Sequence, residues 1–238
     1  MKYIDLSFAT PAENLAADEA LLEACETGRG GDTLRFWESP QYFVVIGYAN
    51  HAAREANLEV CRAHGVPILR RCSGGGTVLQ GPGCLNYSLI LEIKEDGPTH
   101  GITATNNFVM QRNQAAIQSL AGKPVRIEGH TDLAIGGLKF SGNAQRRKKH
   151  FLIFHGTFLL NFDLALIEKF LKMPSKEPGY RQARKHSEFL MNLNLRTETV
   201  REAMREVWGA DEKLDTLPMN GVSELAKKYA TDEWNLKF

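Results

Sequence analysis

Two arginines and three consecutive glycines stand together in Arg70–Val78, "RRCSGGGTV", with two more glycines at Gly81 and Gly83. Without a Cβ, glycine lets backbone N–H groups approach a ligand and reach φ > 0, which builds a concave nest for an anion. Arg70 and Arg71 end a strand-like run and point to opposite faces, so at most one aims at what the loop holds. Neither a P-loop nor a dinucleotide fingerprint is present. On glycine content alone two readings stand: an anion-binding loop, or a tight connection between strands.

A second constellation is "TDLAIGGLKFSGNAQ" (131–145). Gly136-Gly137 predicts a two-residue type I′ hairpin that pairs Ile135 with Leu138, Ala134 with Lys139 and Asp132 with Ser141. Leu133, Ile135, Leu138 and Phe140 then face the core, and Asp132, Ala134, Lys139 and Ser141 share the other face. Asp132 is diagonal to Lys139, so a carboxylate, an amine and a hydroxyl would stand on a rigid apolar base. An exposed polar face with a surface ion pair is the plainer alternative. His155-Gly156-Thr157 interrupts the apolar run "FLIFHGTFLL", which reads as a strand buried on both sides. Histidine there needs partners and glycine there admits a close neighbour, so a core histidine beside a bulge and a site residue are both open. "RRKKH" (146–150) is a basic turn, either a solvated hairpin tip or a meeting point for an acidic protein.

Those residues need elements to hold them. Thr10-Pro11-Ala12-Glu13 is a helix start, with Thr10 as N-cap, Pro11 at the first position and Glu13 closing a capping box. That helix carries Leu15, Leu21, Leu22 and Cys25 and stops near Gly28. "LRFWESPQYFVVIGY" gives two strands broken at Ser39-Pro40, "EANLEVCRAHG" a short helix, and "VPILRRC" the strand entering the glycine loop. A strand at "CLNYSLILEI", a helix from Asn106 to Leu120, three strands to about Leu160, helices near 163–172 and 199–208, and a last helix near Ser223 complete the chain. Short-range strand pairing with interspersed helices predicts an α+β fold, a mixed sheet flanked by helices.

Composition narrows the function. The 238 residues carry 29 Lys and Arg against 28 Asp and Glu, too even for a dedicated nucleic-acid binder. The N-terminus does not read as a signal peptide, and no apolar run reaches the roughly 20 residues of a membrane helix. The four cysteines form no C-x-x-C pair, which leaves zinc and redox dithiol chemistry without support and makes the cytoplasm the expected compartment.

From end to end the chain resembles the lipoate–protein ligases, within the group that also holds octanoyltransferases and biotin–protein ligases. "NLAADEALLE", "LRFWESPQYFVVIGYAN", "NLEVCRAHGVPILRRCSGGGTV", "LNYSLIL", "TDLAIGGLKFSGNAQRR", "HGTFLLNFDL" and "KKYATDEWNLKF" occur in that family's order. The resemblance implies that family's catalytic-domain fold, a largely antiparallel mixed sheet, as a single domain over 1–238 without a C-terminal accessory domain. It implies reaction of lipoate and ATP, with Mg²⁺, to lipoyl-adenylate. The acyl group then passes to a lysine of an apo lipoyl carrier, either a 2-oxoacid dehydrogenase E2 domain or the glycine-cleavage H protein. A separate accessory protein is a further candidate partner, and nucleic acid and membrane are not.

Roles are carried over by match. Lys139 corresponds to the lysine that contacts the reacting carboxylate and α-phosphate. Arg70, Arg71, Ser73, Gly74, Gly75, Gly76, Thr77 and Val78 correspond to the loop around acyl chain and nucleotide. Asp132 corresponds to the acid near the adenylate and is the nominee for magnesium. Ser141, Gly142 and Ala144 continue its motif, and His155, Gly156 and Thr157 lie beside the acyl chain. A fixed lysine and aimed N–H groups suit the charge that develops on the α-phosphoryl oxygens. Two positions depart from the family: Gln80-Gly81 replaces His-Asp after the loop, and Thr131 replaces Asn before the acid. A transferase moving lipoyl or octanoyl groups between carriers without ATP is the alternative. Octanoyltransferases of this fold use a cysteine downstream of the His-Gly strand, and no cysteine lies beyond Cys84 here.

Overall fold

The structure, a computed structural model, describes all 238 residues. Its strands are β1 (Lys2–Asp5), β2 (Thr33–Trp37), β3 (Phe43–Ile46), β4 (Ile68–Arg70), β5 (Val78–Gln80), β6 (Cys84–Glu92), β7 (Val125–Glu128), β8 (Asp132–Ile135), β9 (Leu138–Arg147), β10 (Phe151–Leu159) and β11 (Glu212–Lys213). Its helices are α1 (Pro11–Glu26), α2 (Ala52–Glu55), α3 (Leu58–Ala63), α4 (Ile102–Ala121), α5 (Ala165–Phe170), α6 (His186–Phe189), α7 (Thr197–Trp208), α8 (Met219–Tyr229) and α9 (Asp232–Asn235).

Two sheets result. The larger runs β11-β1-β2-β6-β10-β9-β8-β7 and is antiparallel except at the β11-β1-β2 edge. The smaller runs β4-β3-β5. The expected α+β class, a largely antiparallel mixed sheet flanked by helices, is what forms. Its centre is β6 and β10, whose apolar runs are buried on both faces as their composition predicts. Leu89, Phe154 and Phe158 pack against Val109 and Ile117 of α4 and Met204 of α7. Ile90 and Ile153 turn the other way, against Leu21 and Leu22 of α1 and Phe43 and Val45 of the small sheet. The small sheet therefore caps one face of the large one beside α1, and its back packs on α5 through Val44, Ile46 and Ile167.

Local chemistry sets the element ends. Thr10 caps α1 with the complete capping box, an arrangement worth about 0.5–2 kcal/mol. Gly122 ends α4 in the left-handed conformation at φ 59°, and α4 starts at Ile102, four residues before the expected Asn106. Four strands rather than three lie between α4 and Leu160, because Val125–Glu128 pairs with β8 at the sheet edge. Gly136 and Gly137 have φ of 59° and 78°, the positive pair that a type I′ turn requires.

The hairpin register differs from expectation at one place. Ile135 pairs with Leu138 and Ala134 with Lys139, but Leu133, not Asp132, pairs with Ser141. Phe140 is an extra residue, a β-bulge, which bends the strand and re-aims the residues beyond it. Ser141 is thereby turned away from Lys139, and Asn143 Nδ2 donates to its Oγ at 3.4 Å.

The basic turn is also not a free patch. Arg146 reaches Glu19, Lys148 pairs with Glu23, and the backbone N–H groups of Lys149, His150 and Phe151 donate to Glu26. Three carboxylates spaced along α1 meet the turn, a long-range match that its own sequence could not reveal. No helix is long and apolar enough to cross a membrane.

Candidate active site: a cleft between the sheets

A cleft of about 800 Å³ opens between the two sheets, a size suited to a small ligand. Val45, Val78 and Gln80 form one wall; Lys139, Ala144, His155 and Thr157 form the other; Leu15 and Trp37 close the end near α1. The segment 172–190 crosses the mouth, contributing Lys176, Arg181 and His186.

The two arginines divide their work as opposite-facing neighbours must. Arg71 lines the cleft, and its guanidinium donates to Ser73 Oγ (3.1 Å) and to the carbonyls of Gly74 (2.6 Å) and Gly76 (2.7 Å). Burial pushes it down to about 10, a value at which it still carries its charge at neutral pH. Arg70, expected among the binding residues, lies outside the cleft wall. Its guanidinium donates to the carbonyls of Gly47, Tyr48, Asn50, Trp234 and Asn235, which leaves it committed to the scaffold. Ser73 and Gly74 are likewise behind the lining, whereas Gly75, Gly76, Thr77 and Val78 are part of it. Gly75 has φ 89°, and a Cβ there would lie 2.9 Å from Arg71 Nη2. The loop thus needs glycine both for its backbone and for the arginine that fills it.

Ser73 ties the loop to β10. Its Oγ accepts from Arg71 Nε at 3.1 Å and shares a hydrogen bond with His155 Nε2 at 2.6 Å. His155 Nδ1 faces Asp18 Oδ2 at 4.0 Å. Burial, and secondarily the Arg71 charge, hold His155 down to about 4. Asp18 is anchored in turn by Arg35 Nη1 (2.6 Å) and Trp37 Nε1 (3.2 Å).

The hairpin brings Lys139 Nζ to 2.8 Å from Asp132 Oδ1, while Tyr180 donates to Oδ2 at 2.9 Å. Gly142 lies beneath the lysine: a Cβ there would be 2.9 Å from Lys139 Cε. On the reverse of β10, Asn143 lies flat over Gly156. Tyr87 Oη donates to Asn143 Oδ1, Asn113 Nδ2 donates to Tyr87 Oη at 2.6 Å, and Asn143 Nδ2 donates to the Thr131 carbonyl at 2.7 Å. Thr131 Oγ1 returns a bond to the Asn143 carbonyl at 2.9 Å. Thr131 therefore braces the backbone beside Asp132. Gln80 Nε2 donates to Thr157 Oγ1 and Thr157 Oγ1 to Asn86 Oδ1, each at 2.6 Å.

For a resident metal the donors do not fit. Both Asp132 oxygens are engaged, and no group of three or more His, Cys, Asp or Glu side chains is placed to hold an ion. All four cysteines are buried and free, and none lines the cleft. Burial raises the Cys72 thiol to about 11 and Cys84 higher still.

Residues 10–208 match the model of the lipoyl protein ligase A/B catalytic domain. The chain belongs to that family. Octanoyltransferase LipM of Geobacillus kaustophilus is 29% identical over 99% of this chain and 98% of its own. Lipoate–protein ligase 1 of Staphylococcus aureus is 30% identical over 99% of this chain and 73% of its own. A crystal structure of lipoate-protein ligase A bound with ATP superposes with TM-score 0.83 at 25% identity, covering 99% and 98% of the two chains. The bi-partite lipoate protein ligase of Thermoplasma acidophilum superposes at 0.82 and 24% identity over 99% and 95%, a likeness of fold. Within this family of ligases and transferases the chain is an enzyme that handles lipoyl-type acyl groups.

Several cleft residues lay beyond sequence reasoning. Asp18 had a faint signal, being four residues after Asn14 on an otherwise apolar helix face, both buried. The mouth segment had only its density of charge around Pro174, Pro178 and Gly179.

Proposed function

We propose that the chain activates lipoate with ATP as lipoyl-adenylate and passes the acyl group to a lysine of an apo lipoyl domain, of the E2 or H-protein kind. The observation that carries this reading is the pairing of a cleft lysine with a cleft lacking any thiol. A thiol-dependent transferase needs a thiolate at the acyl carbonyl, and here every cysteine is buried with its thiol held protonated. Adenylation instead needs positive groups where phosphoryl charge develops, and Lys139 with the N–H groups of the Gly75–Thr77 loop meets that need.

In this reading the carboxylate of lipoate attacks the α-phosphorus of MgATP, the bond from that phosphorus to the bridging oxygen breaks, and pyrophosphate leaves with the electron pair, the magnesium having arrived with the substrate. Lys139 leaves Asp132 for the α-phosphoryl oxygen, and Tyr180 keeps the vacated carboxylate hydrogen-bonded. The apolar end of the cleft at Leu15, Trp37 and Val45 takes the acyl tail.

The second reading, acyl transfer between carriers without ATP, is favoured by the LipM relatives, which this chain matches over 98% of their length. Pyrophosphate exchange separates the two. Lipoate-dependent exchange of labelled pyrophosphate into ATP is expected. Its absence, with acyl transfer from an octanoylated carrier, would reverse the choice.

A further inference from the structure

We infer that Glu55 selects the nucleotide's base by accepting a hydrogen bond from the amino group of adenine, an assignment that rests on the adenylate reading above. Glu55 is the last residue of α2, lines the cleft and is 4% exposed. Its Oε1 accepts from the hydroxyl of Ser175 in the mouth segment. Its Oε2 has no partner in the protein, yet it is not sealed from solvent and stays open to the cleft. The two oxygens are equivalent, so exchanging them leaves the same open acceptor. Asp18 and Asp132 line the same cleft with both oxygens engaged.

The surroundings of Glu55 define the donor it meets. Ala52 and Ala56, on either side of it, pack in one cluster with Leu79, Ile167 and Leu171, and those three line the cleft. Backbone ties seat the residue there: the Lys172 N–H donates to the Glu55 carbonyl at 2.9 Å, and Ala56 bridges to Leu171. Leu190 packs on the same cluster, lines the cleft and bridges to the backbone of Lys139. This second apolar lobe therefore adjoins the lysine. From Lys139, β9 runs to Ala144, whose cross-strand partner His155 faces Asp18 of α1. The lobe at Glu55 and the lobe at Leu15 and Trp37 thus lie toward opposite ends of the β9 wall.

With the acyl tail in the α1 lobe and the α-phosphate at Lys139, the base falls to the lobe at Glu55. Adenine is flat and apolar on its faces and carries an exocyclic amino group with N–H donors on its edge. Apolar walls around a single placed acceptor suit that shape. A saturated tail in this lobe would offer no donor and leave the open carboxylate oxygen desolvated. A phosphate there would be repelled by it. Adenine meets both the walls and the acceptor.

The test compares two nucleotides in each protein. Lipoate-dependent pyrophosphate exchange is measured with ATP and with purine riboside triphosphate, which carries hydrogen in place of the amino group. The parent is expected to favour ATP in kcat/KM by roughly tenfold to a hundredfold, the weight of one hydrogen bond to a charged group. Glu55→Met keeps the length, loses the acceptor and should abolish that preference. Glu55→Gln, neutral and of the same shape, should retain only part of it. Ser175→Ala frees the carboxylate from the mouth segment and should keep the parental preference. A Glu55 that merely fastens that segment would instead slow both nucleotides alike and leave the ratio untouched. Melting curves confirm folding; if Glu55→Met does not fold, Glu55→Gln carries the comparison. A parent that exchanges with neither nucleotide refutes the ligase reading and this assignment with it. A parent that uses both equally, or a folded Glu55 variant with the parental ratio, overturns this assignment alone.

Discussion

Gly156→Ala should be among the most damaging single-methyl additions in this protein. A Cβ at Gly156 would overlap Asn143 Oδ1 and lie 2.6 Å from Asn143 Cγ, with Tyr87 Cε1 at 3.0 Å. Asn143 must rotate away, abandoning the Tyr87 hydroxyl and the Thr131 carbonyl. Each buried group left without its partner costs about 1–3 kcal/mol, and alanine returns up to about 1 kcal/mol over glycine in a strand. Two such groups less the alanine gain make the net loss roughly 1–6 kcal/mol, set against the roughly 5–15 kcal/mol that a domain holds. Asn143→Ala alone abandons the same partners and should cost about 2–4 kcal/mol. Because one rearrangement underlies both, the double variant should unfold within about 1 kcal/mol of Asn143→Ala rather than at the sum. Urea unfolding followed by circular dichroism gives all three values. A fully additive double variant would refute the claim that Asn143 is what the glycine accommodates.

Other expectations concern the site. Lys139→Ala should retain the fold, since Phe140 and Leu133 hold the hairpin, and lose about 10²–10³ in lipoate-dependent pyrophosphate exchange; near-parental exchange would remove the lysine from the mechanism. Gly75→Val forces a branched side chain into φ 89° and toward Arg71, and should weaken lipoyl-adenylate binding at least tenfold by calorimetry. His155, held at about 4 in the fold, remains neutral while the unfolded chain takes up a proton near 6.5, so stability is present above that value and drains away as pH falls toward 4. The loss is on the order of 3 kcal/mol, and His155→Gln should flatten the slope of unfolding free energy over that window; an unchanged slope would contradict the buried neutral imidazole.

Sequence reasoning succeeded where the determinants are local. The capping box at Thr10 and the turn at Gly136-Gly137 are set within a few residues, and both formed as expected. The Asp132–Lys139 pair came from the turn alone, even though the Phe140 bulge displaced Ser141. It failed where partners are distant. That two adjacent arginines would face opposite ways is a property of strands, but which one meets the cleft depends on residues 165 positions away. The basic turn read as free because its carboxylate partners sit more than 120 residues earlier. The mouth segment, built of a short 3₁₀ turn at Gly179–Arg181 and the four-residue α6, has no hydrophobic period for a pattern to catch.

The Arg70 clamp has a consequence for biosynthesis. Three of its bonds and the Trp234 Nε1 bond to its carbonyl come from α9, at residues 232–235. A ribosome delivers the strand and the glycine loop early and the helix that fastens them much later. Until residue 235 is free to fold back, the Arg70 guanidinium has only the carbonyls of Gly47, Tyr48 and Asn50 to bind. A nascent chain halted before α9 would carry the sheet, the hairpin and the lysine, yet lack the four bonds by which α9 fastens the end of β4. Completion of the clamp thereby reports that translation has passed residue 235.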